Sequence, residues 1–266
     1  MNKIFLSADI EGTCGVAHWD ETEFGKQGYE HFAKQMSREV SAACKGALAG
    51  GAEEIFVKDA HDFARNIDPA MLPEEACIFR GWGSDPYSMM SGVDESFDGV
   101  FFTGYHSAAS WDGNPLSHTM NTRLQQIRIN GEVCSELMLN SLTASMFGVP
   151  VLLVCGDQML CDWFHSVCPK TLTVPVSRGV GHGSVSIHPD KAVKLIQEKA
   201  AEAMKLDKQA CMFPMPEHFH VEVDYRDHFA AKSASFYPGV TQLASRTVAI
   251  DSDNWMDILS FFHFCL

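Results

Sequence analysis

No apolar run in this chain approaches the roughly 18 residues that a membrane-spanning helix requires. Its nine cysteines are scattered, with no Cys-x-x-Cys pair among them, which removes the support for a zinc ribbon or a thioredoxin-like centre. Several, such as Cys44 and Cys155, sit inside apolar patterns where cysteine behaves as a small hydrophobe, so reduced thiols are expected. Positive charge is scarce: 20 Lys and Arg face 34 Asp and Glu, for a formal charge of −14. Such a surface offers no basic footprint for phosphate, and neither a nucleic acid nor a membrane is expected as a partner. A Gly-x-Ser-x-Gly elbow is missing, which argues against a serine hydrolase. The glycine-rich stretch Arg178–Ser184 lacks both the Gly-Lys-Ser/Thr ending of a P-loop and a Rossmann register, and it reads as a flexible loop near the site. Residues Met1 to Asp9 show no signal-peptide h-region, and a cytoplasmic location is expected.

What the chain does contain is an alternation of short apolar runs with amphipathic stretches. Lys3–Ala8, Glu54–Lys58, Gly99–Thr103 and Val151–Cys155 read as buried strands. Between them, Phe32, Met36, Val40, Ala43 and Ala47 recur at helical spacing until Gly50-Gly51 stops the helix. Asn130-Gly131, flanked by Ile127, Ile129 and Val133, is a hairpin signal. Helices are expected over Ser135–Met146 and from Asp190 to Met204. This order predicts an α/β fold, a three-layer α/β/α arrangement around a largely parallel sheet. After Cys211 the pattern changes. Pro214 and Pro216 read as a linker, followed by strands at His218–Tyr225 and Thr247–Ile250 and a helix at Trp255–Phe264. A catalytic α/β domain over residues 1–211 and a small α+β lobe over 212–266 are therefore expected.

In open α/β sheets, ligands bind beyond the carboxyl ends of the strands. Three predicted strands end on potential metal ligands: Asp9-Ile10-Glu11, Asp59-Ala60-His61 and Gly104-Tyr105-His106. Alternation in an extended chain points Asp9 and Glu11 to one side. Two carboxylates and two imidazoles make an oxygen and nitrogen set suited to zinc or manganese. Each residue alone reads more simply as a cap or a surface group; the coincidence at three strand ends is what favours a metal. His118 lies downstream in a polar segment, and Glu136 opens a helix, where a carboxylate also suits the helix dipole. His218 and His220 form a His-x-His pair that strand alternation explains without a metal, and no motif marks Cys14 as a nucleophile.

Ser7-Ala8-Asp9-Ile10-Glu11-Gly12 resembles the Ser-x-Asp-x-Glu-Gly signature of the DppA-type zinc D-aminopeptidases. Asp59-Ala60-His61, Gly104-Tyr105-His106, Ser117-His118-Thr119-Met120, and Ser135-Glu136-Leu137 with Asn140 resemble that family's later blocks in the same order. Pro238-Gly239-Val240 and Arg246-Thr247-Val248 extend the likeness almost to the end. The resemblance implies two zinc ions per chain held by Asp9, Glu11, His61, His106 and Glu136. Asp9 would bridge, Glu11 and His61 would complete one shell, and His106 and Glu136 the other. It also implies His118 as the catalytic residue, short peptides as substrates, and a ring-shaped homo-oligomer, as large as a decamer. Paired ions about 3.5 Å apart can activate a shared water and polarise a scissile carbonyl. The expected function is removal of an amino-terminal residue, a D-residue on the family pattern. Two alternatives stand beside it: a two-metal phosphoesterase, for which the site blocks supply few basic residues beyond Lys58 and Arg123, and a non-catalytic peptide or amino-acid binding protein.

Overall fold

The computed structural model describes residues 2–266. Strand β1 (Lys3–Ala8) is buried on both sides from Ile4 onward. Ile4, Leu6 and Ala8 face one core, and Phe5 faces another. A strand of this kind belongs in the middle of a sheet covered on both faces. After it come α1 (Tyr29–Ala49), β2 (Glu54–Asp59), β3 (Ala76–Phe79) and β4 (Gly99–Tyr105). A hairpin of β5 (Leu124–Ile129) and β6 (Glu132–Val133) leads into α2 (Glu136–Met146) and β7 (Val151–Asp157). The chain then forms α3 (Gln158–Val167), β8 (Leu172–Val180), β9 (Gly183–Ser186) and α4 (Pro189–Ala203). It closes with β10 (Phe219–Tyr225), α5 (His228–Ala234), β11 (Val240–Gln242), β12 (Thr247–Ser252) and α6 (Trp255–Cys265).

The main sheet has the order β3-β2-β1-β4-β7-β8-β9, parallel throughout except for the antiparallel edge strand β9. Helices α1 and α4 cover one face and pack so closely that a side chain at Gly46 would reach 2.2 Å from the Gln197 carbonyl. The other face carries α2 and, beyond it, a second sheet of order β11-β12-β10-β5-β6 with α6. The strand order reverses direction between β1 and β4, so the crevice at their carboxyl ends is a topological switch point, where open α/β sheets bind ligands.

Three expectations change. The boundary at residue 211 does not separate the two sheets, because β5 and β6 pair with β10 of the C-terminal segment: Val221 lies opposite Ile129 and Val223 opposite Ile127. A hairpin signal identifies two paired strands but leaves the third unnamed, and here the third comes about 90 residues later. Arg178–Ser184 is not a loose loop. It is the β8–β9 hairpin at the sheet edge, tied to the 107–120 segment by Gly179 N donating to Gly113 O at 2.6 Å. The strands β3, β8 and β11 and the helices α3 and α5 are additional to the elements expected from periodicity. Among the described residues, no helix is long and apolar enough to cross a membrane.

Candidate metal centre

Asp9 and Glu11 follow β1, His61 follows β2 by two residues, His106 follows β4 directly, and Glu136 is the first residue of α2. Ser135 caps that helix, its Oγ accepting from Met138 N, which aims the Glu136 side chain back over the strand ends. Two glycines let β1 and β4 approach closely enough to share a site. A Cβ on Gly12 would fall 1.8 Å from the Tyr105 carbonyl oxygen, and one on Gly104, whose φ is +70°, would fall 2.0 Å from that of Asp9. With no Cβ in the way, Gly12 N donates to Gly104 O at 2.8 Å and Asp9 N to Thr103 O at 2.9 Å.

All five predicted ligands come together and are buried. They form two groups that share Asp9: Asp9 with Glu11 and His61, and Asp9 with His106 and Glu136. His61 Nδ1 lies 3.2 Å from Asp9 Oδ1 and 3.1 Å from Glu11 Oε2. His106 Nε2 lies 3.5 Å from both Asp9 Oδ2 and Glu136 Oε2. Ligands about 2.0–2.1 Å from a tetrahedral zinc lie about 3.3 Å from one another, so these spacings match the edges of a coordination shell. The second nitrogen of each ring is fixed by a carbonyl, which can only accept. His61 Nε2 donates to Thr22 O at 2.9 Å, and His106 Nδ1 to Ser107 O at 3.0 Å. In the neutral rings this leaves lone pairs on His61 Nδ1 and His106 Nε2, both facing the carboxylates.

Two buried atoms test the fit of a metal. Glu11 Oε2 and His106 Nε2 have no hydrogen-bond partner, although both are fully enclosed. A buried polar atom without a partner costs about 1–3 kcal/mol, and more when charged, so such orphans call for an occupant. A divalent cation in each ligand group would satisfy them. Electrostatics point the same way, since three carboxylates are packed together with no lysine or arginine to offset them. Burial and the Glu11 charge hold the Asp9 carboxyl well above its usual range. Burial acts the same way on Glu11 and Glu136, but the imidazoles outweigh it: His61 leads for Glu11 and His106 for Glu136, and both carboxyls end below their usual range. Burial would lower His61 and His106, yet the carboxylates raise both well above normal.

His118 stands at the edge of this cluster. Its Nδ1 donates to Leu116 O at 2.9 Å, and its Nε2 lies 3.5 Å from Glu136 Oε1. Its ring stacks on His106, with centroids 4.4 Å apart and planes 14° from parallel. Burial and the neighbouring His106 charge lower its pKa. It also completes a third possible ligand group with Glu11 and His106. Its loop is anchored on both sides of the ring: Asn114 Nδ2 donates to Glu11 O at 3.0 Å, and Met120 N to Glu136 Oε1 at 2.7 Å.

The cluster forms the floor of a cavity of about 670 Å³. Trp19, Phe24, Phe63, Trp82, Met89 and Met120 supply its apolar walls, and no lysine or arginine lines it. Apart from Met120, which belongs to a family block, these wall residues lie in loops and single 3-10 turns whose sequence carries no periodicity. Cys14 lies outside the chemistry, since burial and the Glu39 charge push its thiol up to about 12. His218 and His220 do not line the cavity; His220 pairs with Asp251 across β10 and β12, and His218 pairs with Asp253 just beyond those strands.

The model of the D-aminopeptidase family Peptidase_M55 matches residues 2–264. A curated D-aminopeptidase from Bacillus subtilis (strain 168) is 29% identical over 249 residues, which cover 93% of this chain and 90% of that protein. The chain is also similar to a solved structure described as the Zn-dependent D-aminopeptidase DppA from Bacillus subtilis, a self-compartmentalizing protease. That likeness has a TM-score of 0.91 at 27% identity and covers 99% of this chain and 96% of the other.

Proposed function

This chain belongs to the Peptidase_M55 family of D-aminopeptidases, and from that premise we propose that it is a zinc-dependent aminopeptidase that removes an amino-terminal D-residue from short peptides. The observation that carries the reading is the pair of buried ligand groups sharing Asp9 at the sheet's switch point. Two zinc ions per chain fit these groups, with Asp9 common to both, Glu11 and His61 completing one and His106 and Glu136 the other. When bound, the ions supply Lewis acidity for the scissile carbonyl and the attacking water.

The chain's own residues do the rest. The carboxylate-rich floor attracts a cationic α-amine and sets the peptide with its amino end inward. His118, with Nδ1 held by Leu116 O, presents Nε2 to the reacting centre. There it takes a proton from water as the C–O bond forms and returns it to the leaving nitrogen as the C–N bond breaks. Trp19, edge-on to His118 at 5.2 Å, shields the ring from solvent. A phosphoesterase would gain from cationic groups around the phosphate, and this cavity has none beyond its histidines.

Two further readings belong with this proposal. A homo-oligomer, a ring enclosing the active sites, fits the exposed Phe229, Phe236, Leu243 and Phe264 of the C-terminal segment, since large apolar side chains in water mark contact surfaces. A cytoplasmic location fits the free thiols, with no disulfide among the described residues. The test of the main reading is direct. Purified protein should hold close to two zinc ions, cleave D-alanyl peptides, lose that activity on chelation and regain it with zinc. Acetylating the substrate amine should lower turnover at least tenfold. Full activity in protein shown to be metal-free, or equal cleavage of blocked and free peptides, overturns it.

A further inference from the structure

The mouth of the cavity is aromatic, and its rings are held in place. Trp82 and Phe24 are 42% and 70% exposed, although both line the cavity. Phe24 meets Phe63 edge-on at 5.6 Å and Tyr29 at 5.7 Å. Trp82 is fixed from behind: its Nε1 donates to Asp62 O at 2.7 Å, and Lys58 Nζ lies 4.3 Å from its ring centroid. Lys58 is itself fully buried and donates to Asp59 O and Gly81 O, both at 2.7 Å. Burial lowers its amine to about 8, against the Asp59 charge, so it stays largely cationic at neutral pH and holds the indole. An indole anchored on one side and open to a cavity on the other is a ready platform for an apolar group.

Direction follows from the aminopeptidase reading, on which this inference rests. The free amine and the scissile bond lie at the carboxylate floor, so the peptide beyond that bond leaves through the mouth. The charged side chains lining the mouth are Glu23 and Asp62, both acidic. Of the cations beside the mouth, Lys58 is already committed to two carbonyls, while the exposed Arg65 holds its guanidinium 5.2 Å from the Phe63 ring centroid.

We propose that the mouth is a subsite for the residue following the scissile bond, and that it selects an aromatic side chain through Trp82 and the Phe24–Phe63 pair. Neutral peptide amides are the suitable probes. The wild-type, zinc-loaded enzyme should cleave D-alanyl-D-phenylalanine amide with a kcat/KM at least tenfold above that for D-alanyl-glycine amide, as burial of a phenyl side chain implies. In Trp82→Ala, the ratio between the two substrates should fall to about twofold, chiefly through KM. Phe24→Ala should reduce it in the same direction, and it serves as the second variant if Trp82→Ala fails to fold.

Tryptophan-fluorescence titration of chelated protein with the same two amides reads the subsite without turnover, and the phenylalanine amide should bind at least fivefold tighter. If neither amide is cleaved but this binding preference holds, the aminopeptidase reading fails and the subsite stands. Equal kcat/KM and equal binding for the two amides in wild type, or an unchanged ratio in both variants, overturns the subsite.

Discussion

His118 differs from the other two imidazoles of the site in its neighbours. His61 and His106 each face two carboxylates, whereas His118 Nε2 faces Glu136 Oε1 alone and its ring lies flat on His106. Five side chains already serve the two ligand groups, so His118 is one imidazole more than two ions need. Its part in a third possible group gives the competing role, that of a ligand. His118→Ala separates the two. As a proton shuttle, its loss should leave both metals bound and lower kcat by about 10²–10⁴, roughly 3–5 kcal/mol of transition-state stabilisation. Metal content and kcat measured on one folded preparation decide the matter; loss of one metal, or a wild-type kcat, refutes the shuttle. Asp9, Glu11, His61 and His106 stood out in the sequence because each follows a short apolar strand, whereas Glu136, the first residue of a helix, came only from the family resemblance. Trp82, Phe24 and Phe63 did not stand out. Aromatic residues in loops look alike whether they line a cavity or cover a core, and only the fold shows that Trp82 has Lys58 behind it and open space in front.

Periodicity located β1, β2, β4 and β7, because central parallel strands are almost wholly apolar and end abruptly. It passed over β3, a four-residue edge strand with an exposed Cys77, and β8, whose alternation is broken by Pro175 and Gly179. The hairpin of β5 and β6 was legible as a hairpin, but not its place in the second sheet, since β10 is supplied from far along the chain. Elements also explain two glycines that a motif merely records. Gly12 and Gly104 allow the ends of β1 and β4 to touch, and that contact brings Asp9 beside His106. Gly104→Ala should be costly twice, through a left-handed backbone and through a Cβ pressed on the Asp9 carbonyl. Together these suggest a loss of about 2–4 kcal/mol in urea unfolding, with weakened metal binding because Asp9 must move. A stability within about 0.5 kcal/mol of wild type, an ordinary surface effect, would show that the crossing is looser than the geometry indicates.

At the scale of the whole molecule, the proposed ligands come from the ends of β1, β2 and β4 and from the start of α2, so ions bound by them would tie the centre of the main sheet to the helix between the two sheets. Beneath them, Phe5, Phe102 and Tyr105 share one core with Ile127 and Val221 of the second sheet and with Trp255 of α6. Ions bound at this junction would favour the folded chain, because the unfolded one offers no matching site. A ligand present at about 1,000 times its dissociation constant stabilises the native state by about 4 kcal/mol. For a chain of this length, each kcal/mol moves the melting temperature by about 2–4 °C. Exhaustive chelation should therefore lower Tm on the order of 10 °C, and added zinc should restore it. Asp9→Asn removes the carboxylate common to both groups, so its melting temperature should respond little to chelator or zinc. Protomer concentration must be held constant across the scans, because an oligomer adds its own concentration dependence. A wild-type Tm that ignores complete removal of the metal would mean that the five ligands are already held by the surrounding fold, with the ions adding chemistry and no stability.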